Sequence, residues 1–488
     1  MCQSHTLFFS SINLHHLFTQ NSSPHYTLPV ISAMGRTFLS ALGLVLLLSS
    51  ASAYKGSAGS WQRGECDISR INTQEPSSRL ESEGGVSEFW DHNADEFRCA
   101  GVSFHRHTIR SRGLMLPAYH NAPVLAYVIQ GRGIFGVLIS GCPETFESPQ
   151  QQSAERQRGE KFTDRHQQIE YLKQGDVIAI RAGDAHWAYN NGDEELVVVV
   201  LQDNSNNANQ LDQNPRSFLL AGNPERQQQM QHQQRFRGQE QQHQLGNVFR
   251  GFRTELLAEV FEVDEETARK LKSENDERGP IVIVEKELQV IKPPVRRHNG
   301  LEETACSAKI RENIDSPSRA DIYNPQAGRL STVNGFTFPL LNYLQLSFAK
   351  AVLYKNAIMA PYWFTNAHSI LYITRGENRI QVVNQHGQAV FDGQVREGQV
   401  LVVPQNFAVV KQAGEQGCEW VQFNTNANAM LNTLSGRTSA LRGLPVDVVA
   451  NSYQISREEA ERIKFSREET LFFRGSRSSG RRSVVASA

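Results

Sequence analysis

Asn121-Ala122-Pro123-Val124-Leu125-Ala126-Tyr127-Val128-Ile129-Gln130-Gly131 returns later in the chain as Asn366-Ala367-His368-Ser369-Ile370-Leu371-Tyr372-Ile373-Thr374-Arg375-Gly376. Each copy is rich in β-branched and aromatic residues and closes on a glycine, the composition of a strand ending at a turn. A second apolar run follows each copy, Ile134 to Ile139 and Arg379 to Val383, and the spacing predicts a hairpin in both places. Gly175-Asp176-Val177-Ile178-Ala179-Ile180-Arg181 is mirrored by Gly398-Gln399-Val400-Leu401-Val402-Val403-Pro404. Many short strands between Gly, Asn and Asp turns, present twice over, predict a mainly β chain of two sandwich or barrel modules in tandem, with jelly rolls the obvious choice.

A second repeat follows the strands. Asp264-Glu265-Glu266-Thr267-Ala268-Arg269-Lys270-Leu271 corresponds to Ser456-Arg457-Glu458-Glu459-Ala460-Glu461-Arg462-Ile463. Asp264 and Ser456 are helix N-caps, Ser456 with Glu459 makes a capping box, and the acidic first turns suit the helix dipole. Each barrel is therefore expected to carry a short α-helical extension. Such helices cannot stand alone, so their apolar stripes are expected to make subunit contacts, with Val449 and Ile463 at the interface.

A chain of 488 residues, 39% hydrophobic and 21% charged, is large enough for a sizeable core. Its net charge of -1 argues against a nucleic-acid partner. The charge is uneven: residues 54–299 carry a net of -6 and residues 300–488 a net of +4. Met34-Gly35-Arg36, the apolar stretch Phe38 to Leu48 and the small residues Ala51-Ser52-Ala53 form a secretory signal peptide, residues 34–53, with cleavage expected after Ala53. Residues 1–33 read as an upstream extension, and no later run is long enough for a membrane helix, so no membrane partner is expected once the signal is removed. Secretion permits disulfides. With Cys2 lost in the leader, Cys66, Cys99, Cys142, Cys306 and Cys418 remain, an odd number whose connectivity the sequence alone leaves open.

The charge boundary falls in Arg296-Arg297-His298-Asn299-Gly300-Leu301-Glu302-Glu303-Thr304-Ala305-Cys306, just after Pro293-Pro294. Asn-Gly is a turn-prone pair, and here its setting favours an exposed proteolytic junction. Asn299 to Thr304 with Cys306 resembles the processing junction of 11S (legumin-type) seed storage globulins, members of the cupin superfamily. Gly141-Cys142-Pro143-Glu144-Thr145-Phe146, Phe218-Leu219-Leu220-Ala221-Gly222-Asn223-Pro224 and Ala440-Leu441-Arg442-Gly443-Leu444-Pro445-Val446 carry the same resemblance. It implies two cupin barrels and cleavage between Asn299 and Gly300 by an asparaginyl endopeptidase. It also implies disulfides Cys66–Cys99 and Cys142–Cys306, with Cys418 a buried free thiol. The function implied is a nutrient reservoir for nitrogen and amino acids, assembling as trimers, then hexamers, in the protein storage vacuole.

On this reading the first cupin module spans 54–203, a Gln-rich disordered insertion 204–247, a helical extension 248–280 and a processing linker 281–299. The second module spans 300–430, its helical extension 431–475 and a flexible tail 476–488.

Many cupins are metalloenzymes holding Mn or Fe with three His and one Glu on an inward face. Aligned on Gly131, the ligand positions hold Ala118, His120 and Val124, and the second motif runs through Gly183, His186 and Asn190. Aligned on Gly376, they hold Trp363, Thr365 and Ser369, with Val409 in place of the last His. With the carboxylate gone, no metal site, no cofactor and no catalysis are expected, and His120 and His186 read as hydrogen-bonded histidines. His105 and His107 read as surface residues of an alternating strand. The rival reading is a bicupin metalloenzyme of the oxalate-decarboxylase type. A carbohydrate- or hormone-binding seed protein would need polar groups converging inside a barrel, and the sequence reveals none.

Overall fold

The computed structural model describes residues 66, 68–142, 146–147, 165–167, 169–223, 247–273, 275–288, 306 and 308–475. The signal peptide with Ala53, the junction Asn299-Gly300, residues 224–246 of the Gln-rich segment and the tail 476–488 lie outside them.

The first half contributes β1 (Ser78–Ser82), β2 (Gly85–Phe89), α1 (Asp95–Ala100), β3 (Val102–Ile109), β4 (Gly113–His120), β5 (Val124–Gln130) and β6 (Arg132–Leu138). The short strands β7 (Phe146–Glu147) and β8 (Arg165–His166) precede β9 (Ile169–Lys173), β10 (Asp176–Ile180), β11 (Ala185–Tyr189), β12 (Leu196–Asp203) and β13 (Ser217–Leu219). Then come α2 (Thr254–Phe261), α3 (Glu265–Leu271), β14 (Ile281–Ile283) and β15 (Arg311–Asn313). The second barrel uses β16 (Ile322–Asn324), β17 (Gly328–Val333), α4 (Leu341–Leu344), β18 (Ser347–Leu353), β19 (Ile358–Phe364), β20 (Ser369–Val383), β21 (Ala389–Arg396), β22 (Val400–Val403) and β23 (Ala408–Asn424). It ends with β24 (Leu431–Thr433), α5 (Ala440–Gly443), α6 (Val446–Tyr453), α7 (Arg457–Phe465) and β25 (Phe472–Phe473). The fold is mainly β: two jelly-roll barrels, each followed by short helices.

The expected hairpins do not form. β5 lies between β12 and β10 in one sheet, and β6 lies between β11 and β9 in the other. Gly131, at φ +87, turns the chain around the corner from sheet to sheet; a Cβ there would sit 2.5 Å from the Glu195 carbonyl oxygen. In the second barrel the same corner is passed without a break. β20 pairs its first half with Cys418–Asn424 of β23 and its second half with Ala408–Ala413, bending at Gly376 (φ +74). The period of apolar residues finds both strands, but only the sheet partners distinguish a hairpin from a corner.

The first barrel's sheet is buried on both faces because the second barrel packs on its back. Phe104 of β3 lies 5.6 Å from Tyr372 and 5.8 Å from Phe423, and Tyr127 of β5 stacks on Phe348 at 5.0 Å. Arg106 donates to the Tyr372 hydroxyl at 2.8 Å and pairs with Glu88. One hydrophobic cluster runs across this junction.

The halves also exchange arms. Ile68 and Ile71 bury in the second barrel's core, Ile71 N–H donates to the Val390 carbonyl, and Gln74 bridges to Val400. In return β15 adds to β10 at the edge of the first barrel's sheet. Arg311 pairs with the fully buried Asp176 at 3.1 Å and with Glu170 at 3.3 Å. The structure joins Cys66 to Cys99 and Cys142 to Cys306, and leaves Cys418 buried as a free thiol.

These arms move several expected boundaries. Residues 311–313 belong to the first barrel's sheet rather than the second module, and Ile281–Ile283 of the expected linker is a strand on β4. β24 and β25, expected within the helical extension, pair with β19. The Gln-rich insertion does not begin at 204. Residues 204–223 fold because their amides are satisfied: Asn206 Nδ2 donates to the Leu344 carbonyl of the second half at 2.7 Å and Asn209 Nδ2 to that of nearby Asn204 at 2.7 Å, while β13 pairs with β4.

The caps read from the sequence are present. Asp264 accepts from Thr267 N–H at 2.8 Å, and Ser456 and Glu459 complete the capping box. Ala268, Ala460 and Val449 are fully buried within the protomer. Val449 therefore cannot serve as a subunit contact, whereas Ile463 is 46% exposed.

Candidate functional site

The first barrel is hollow. Its cavity of about 870 Å³ has apolar walls that include Leu116, Phe135, Ile178 and Val200. β3 carries Ser103, His105 and His107 to its lining, β4 carries His120, and β11 carries His186. The His105 and His107 rings lie 4.8 Å apart, and those of His120 and His186 5.1 Å apart.

This corrects the reading of His105 and His107 as surface residues: His105 is buried and both face the cavity. Alternation along β3 implies one face toward solvent, but the face that carries Phe104 and Arg106 meets the second barrel. The polar residues were left to point inward. A charged Arg106 with a tyrosine partner across the barrel junction was the missing signal, and it exists only in three dimensions.

All four imidazoles are held neutral. Burial is the main cause in each case, and the neighbouring histidines add to it for His105, His107 and His120. Their pKa values fall to about 4 for His107, about 3 for His120 and about 4 for His186, and well below the ordinary value for His105. His186 Nδ1 donates to the Asp184 carbonyl at 3.2 Å, leaving its Nε2 lone pair free to accept. His107 Nδ1 shares a proton with Ser87 Oγ at 2.8 Å. His120 Nδ1 and Ser103 Oγ are buried without a hydrogen-bond partner among the described residues. Asp184 turns its carboxylate to Arg181 at 2.8 Å, away from the histidines.

The other positions expected from the ligand pattern are structural. Ala118 and Val124 are apolar wall. Asn190 is fully buried, donates to the Ile109 and Glu194 carbonyls at 2.8 and 2.7 Å, and accepts from Gly192 N–H. The set lacks the carboxylate of an Mn or Fe site. Among the described residues a tight group of three metal-type donors is Cys66, Cys99 and His368, and its two sulfurs are already joined in a disulfide.

The corresponding positions of the second barrel are apolar or lack a ligand donor. Val409, Ser369 and Tyr362 are buried in it. Lys411 Nζ donates to the Tyr362 hydroxyl and lies 4.8 Å from the Tyr362 ring and 4.9 Å from that of Trp420. Burial lowers the Lys411 pKa to about 7 and pushes the Cys418 thiol up to about 12.

Two barrels in tandem with a disulfide across a charge boundary narrow the choice of family, and comparison decides it. The cupin family model matches residues 71–226 and 312–461. The chain is 49% identical over 483 residues to 11S globulin seed storage protein 1 of Carya illinoinensis, covering 89% of this chain and 96% of that one. The chain belongs to the 11S globulin family of seed storage proteins. A second 11S globulin, Ana o 2.0101 of Anacardium occidentale, is 50% identical over 437 residues, covering 85% of this chain and 93% of that one. The recombinant pro-11S globulin of pumpkin superposes with a TM-score of 0.76 at 44% identity, covering 84% of this chain and all of that one. This 11S globulin is a seed storage protein. The oxalate-decarboxylase reading finds no support in the ligand positions or in these relatives.

Proposed function

We propose that this 11S globulin is a non-enzymatic nitrogen store, made as a precursor and cut after Asn299 by an asparaginyl endopeptidase. The products are an acidic and a basic chain, packed as trimers and then hexamers in the protein storage vacuole. The Cys142–Cys306 bridge carries this reading, since it links the two halves from either side of Asn299. A bridge closing so long a loop contributes about 2–4 kcal/mol, and after a cut it holds the chains together. Charge supports the site, because the net changes sign at Asn299. Self-association has apolar surface to use: Leu256, Val260, Tyr453 and Ile463 stand exposed on the two helical extensions. Two unlike patches on one protomer can pair head to tail and close a ring.

Asn299→Gln tests the processing step. Expressed in a seed, the variant should accumulate as one uncut chain that reductant does not split on a denaturing gel. Normal cleavage of the variant would assign the signal to Arg296-Arg297 instead and overturn the reading.

A further inference from the structure

We propose that the cavity of the first barrel binds a medium-chain aliphatic monocarboxylic acid, its carboxyl group among the four histidines and its chain along the apolar wall. The proposal does not depend on the storage role. At about 870 Å³ the cavity is in the size range of sites for small organic ligands, which are mostly apolar with a few placed polar groups. Exposed Asp91, Asn214 and Arg216 contribute to its lining, so it reaches the surface beside them.

The polar end has an unmet need. Buried polar atoms ordinarily find partners, yet His120 Nδ1 and Ser103 Oγ have none among the described residues. Both belong to the same lining. The ionisable groups facing this end are His105 and His107 from β3, His120 from β4 and His186 from β11, with Asp91, His92 and Arg216 also contributing to the lining.

Charge selects the ligand class. An amine would have to shed its proton to sit among the four imidazoles, since the one carboxylate of the described lining, Asp91, is solvent-exposed, and a phosphate would bring more charge than they can offset. A carboxylic acid enters with its own proton. The proton passes from the acid oxygen to an imidazole nitrogen, a carboxylate–imidazolium pair results, and the cavity gains no net charge. A second imidazole N–H can then donate to the other carboxylate oxygen. At neutral pH the free acid is ionised and the free histidines are not, so binding must take up one proton.

Calorimetric titration of the intact protein with decanoate, from pH 5.5 to 7.5 in two buffers of different ionisation enthalpy, tests this. Binding near one per chain is expected, with uptake of about one proton and roughly tenfold weaker affinity per pH unit. Decanol, which brings no carboxyl group, should bind at least about tenfold more weakly. His120→Leu and His186→Leu should each abolish the proton uptake while leaving thermal unfolding cooperative. Should either fail to fold, the proton uptake of the unaltered protein still decides. No binding of decanoate, binding without proton uptake, or equal affinity for decanol would each overturn the proposal.

Discussion

Lys411→Met should raise the melting temperature at pH 6 by roughly 6 °C and lower it by a few degrees near pH 10. Lys411 is fully buried, and its described partners are a hydroxyl and two aromatic faces, with no ion pair. Its pKa falls from 10.5 to about 7 through burial. A lowered lysine pKa means that the unfolded chain binds more protons than the folded one between those values, so stability rises with pH across that window. Below about pH 7 the penalty is complete. At about 1.4 kcal/mol per unit it reaches at most about 5 kcal/mol, and attraction to the aromatic faces reduces it. Methionine removes the charge but leaves the Tyr362 hydroxyl without its partner, at a cost of about 1–2 kcal/mol. The net gain is about 2–3 kcal/mol at pH 6, and it turns into a loss of about 1 kcal/mol near pH 10, where the wild-type amine is largely neutral and only the hydroxyl's lost partner counts. Scanning calorimetry at both pH values checks the sign. An equal gain at pH 6 and pH 10 would mean that packing, not charge, sets the effect.

Arg311→Ala should cost about 3 kcal/mol. Asp176 has no exposed side-chain surface, and losing one partner of a buried pair leaves an uncompensated charge. Asn313 Nδ2 and Lys173 N–H, both at 2.8 Å, still donate to it, which keeps the loss at the low end for such pairs. Adding Asp176→Asn should recover at least half of the lost stability, because it removes the orphaned charge. Urea unfolding of the single and double variants measures this. A single variant as stable as the wild type would show that the edge strand β15 is held by its backbone alone.

The duplicated strands, the helix caps and the charge boundary were legible because each depends on residues close together in sequence. Ser456 and Glu459 show this well: a three-residue spacing suffices to specify their reciprocal hydrogen bonds. The four-histidine cavity was not legible. His105 and His107 face inward because the second barrel covers the other side of β3, and no local pattern carries that fact. The same cause hid the corner at Gly131 and the strands that each half lends to the other. Polarity also misled at 204–223, where asparagine amides close loops onto backbone carbonyls instead of marking disorder.

On the proposed processing, cleavage after Asn299 leaves two chains that remain one interlocked body. Beyond the Cys142–Cys306 bridge, they share the β10–β15 pairing and the junction of Phe104, Tyr372 and Phe423. Native mass spectrometry of the processed protein, before and after reduction without denaturant, tests it most directly. The basic chain should begin at Gly300, and both chains should stay in one particle after reduction, separating only when the protein unfolds. Release of a folded acidic chain by reductant alone, or a basic chain beginning elsewhere, would contradict it.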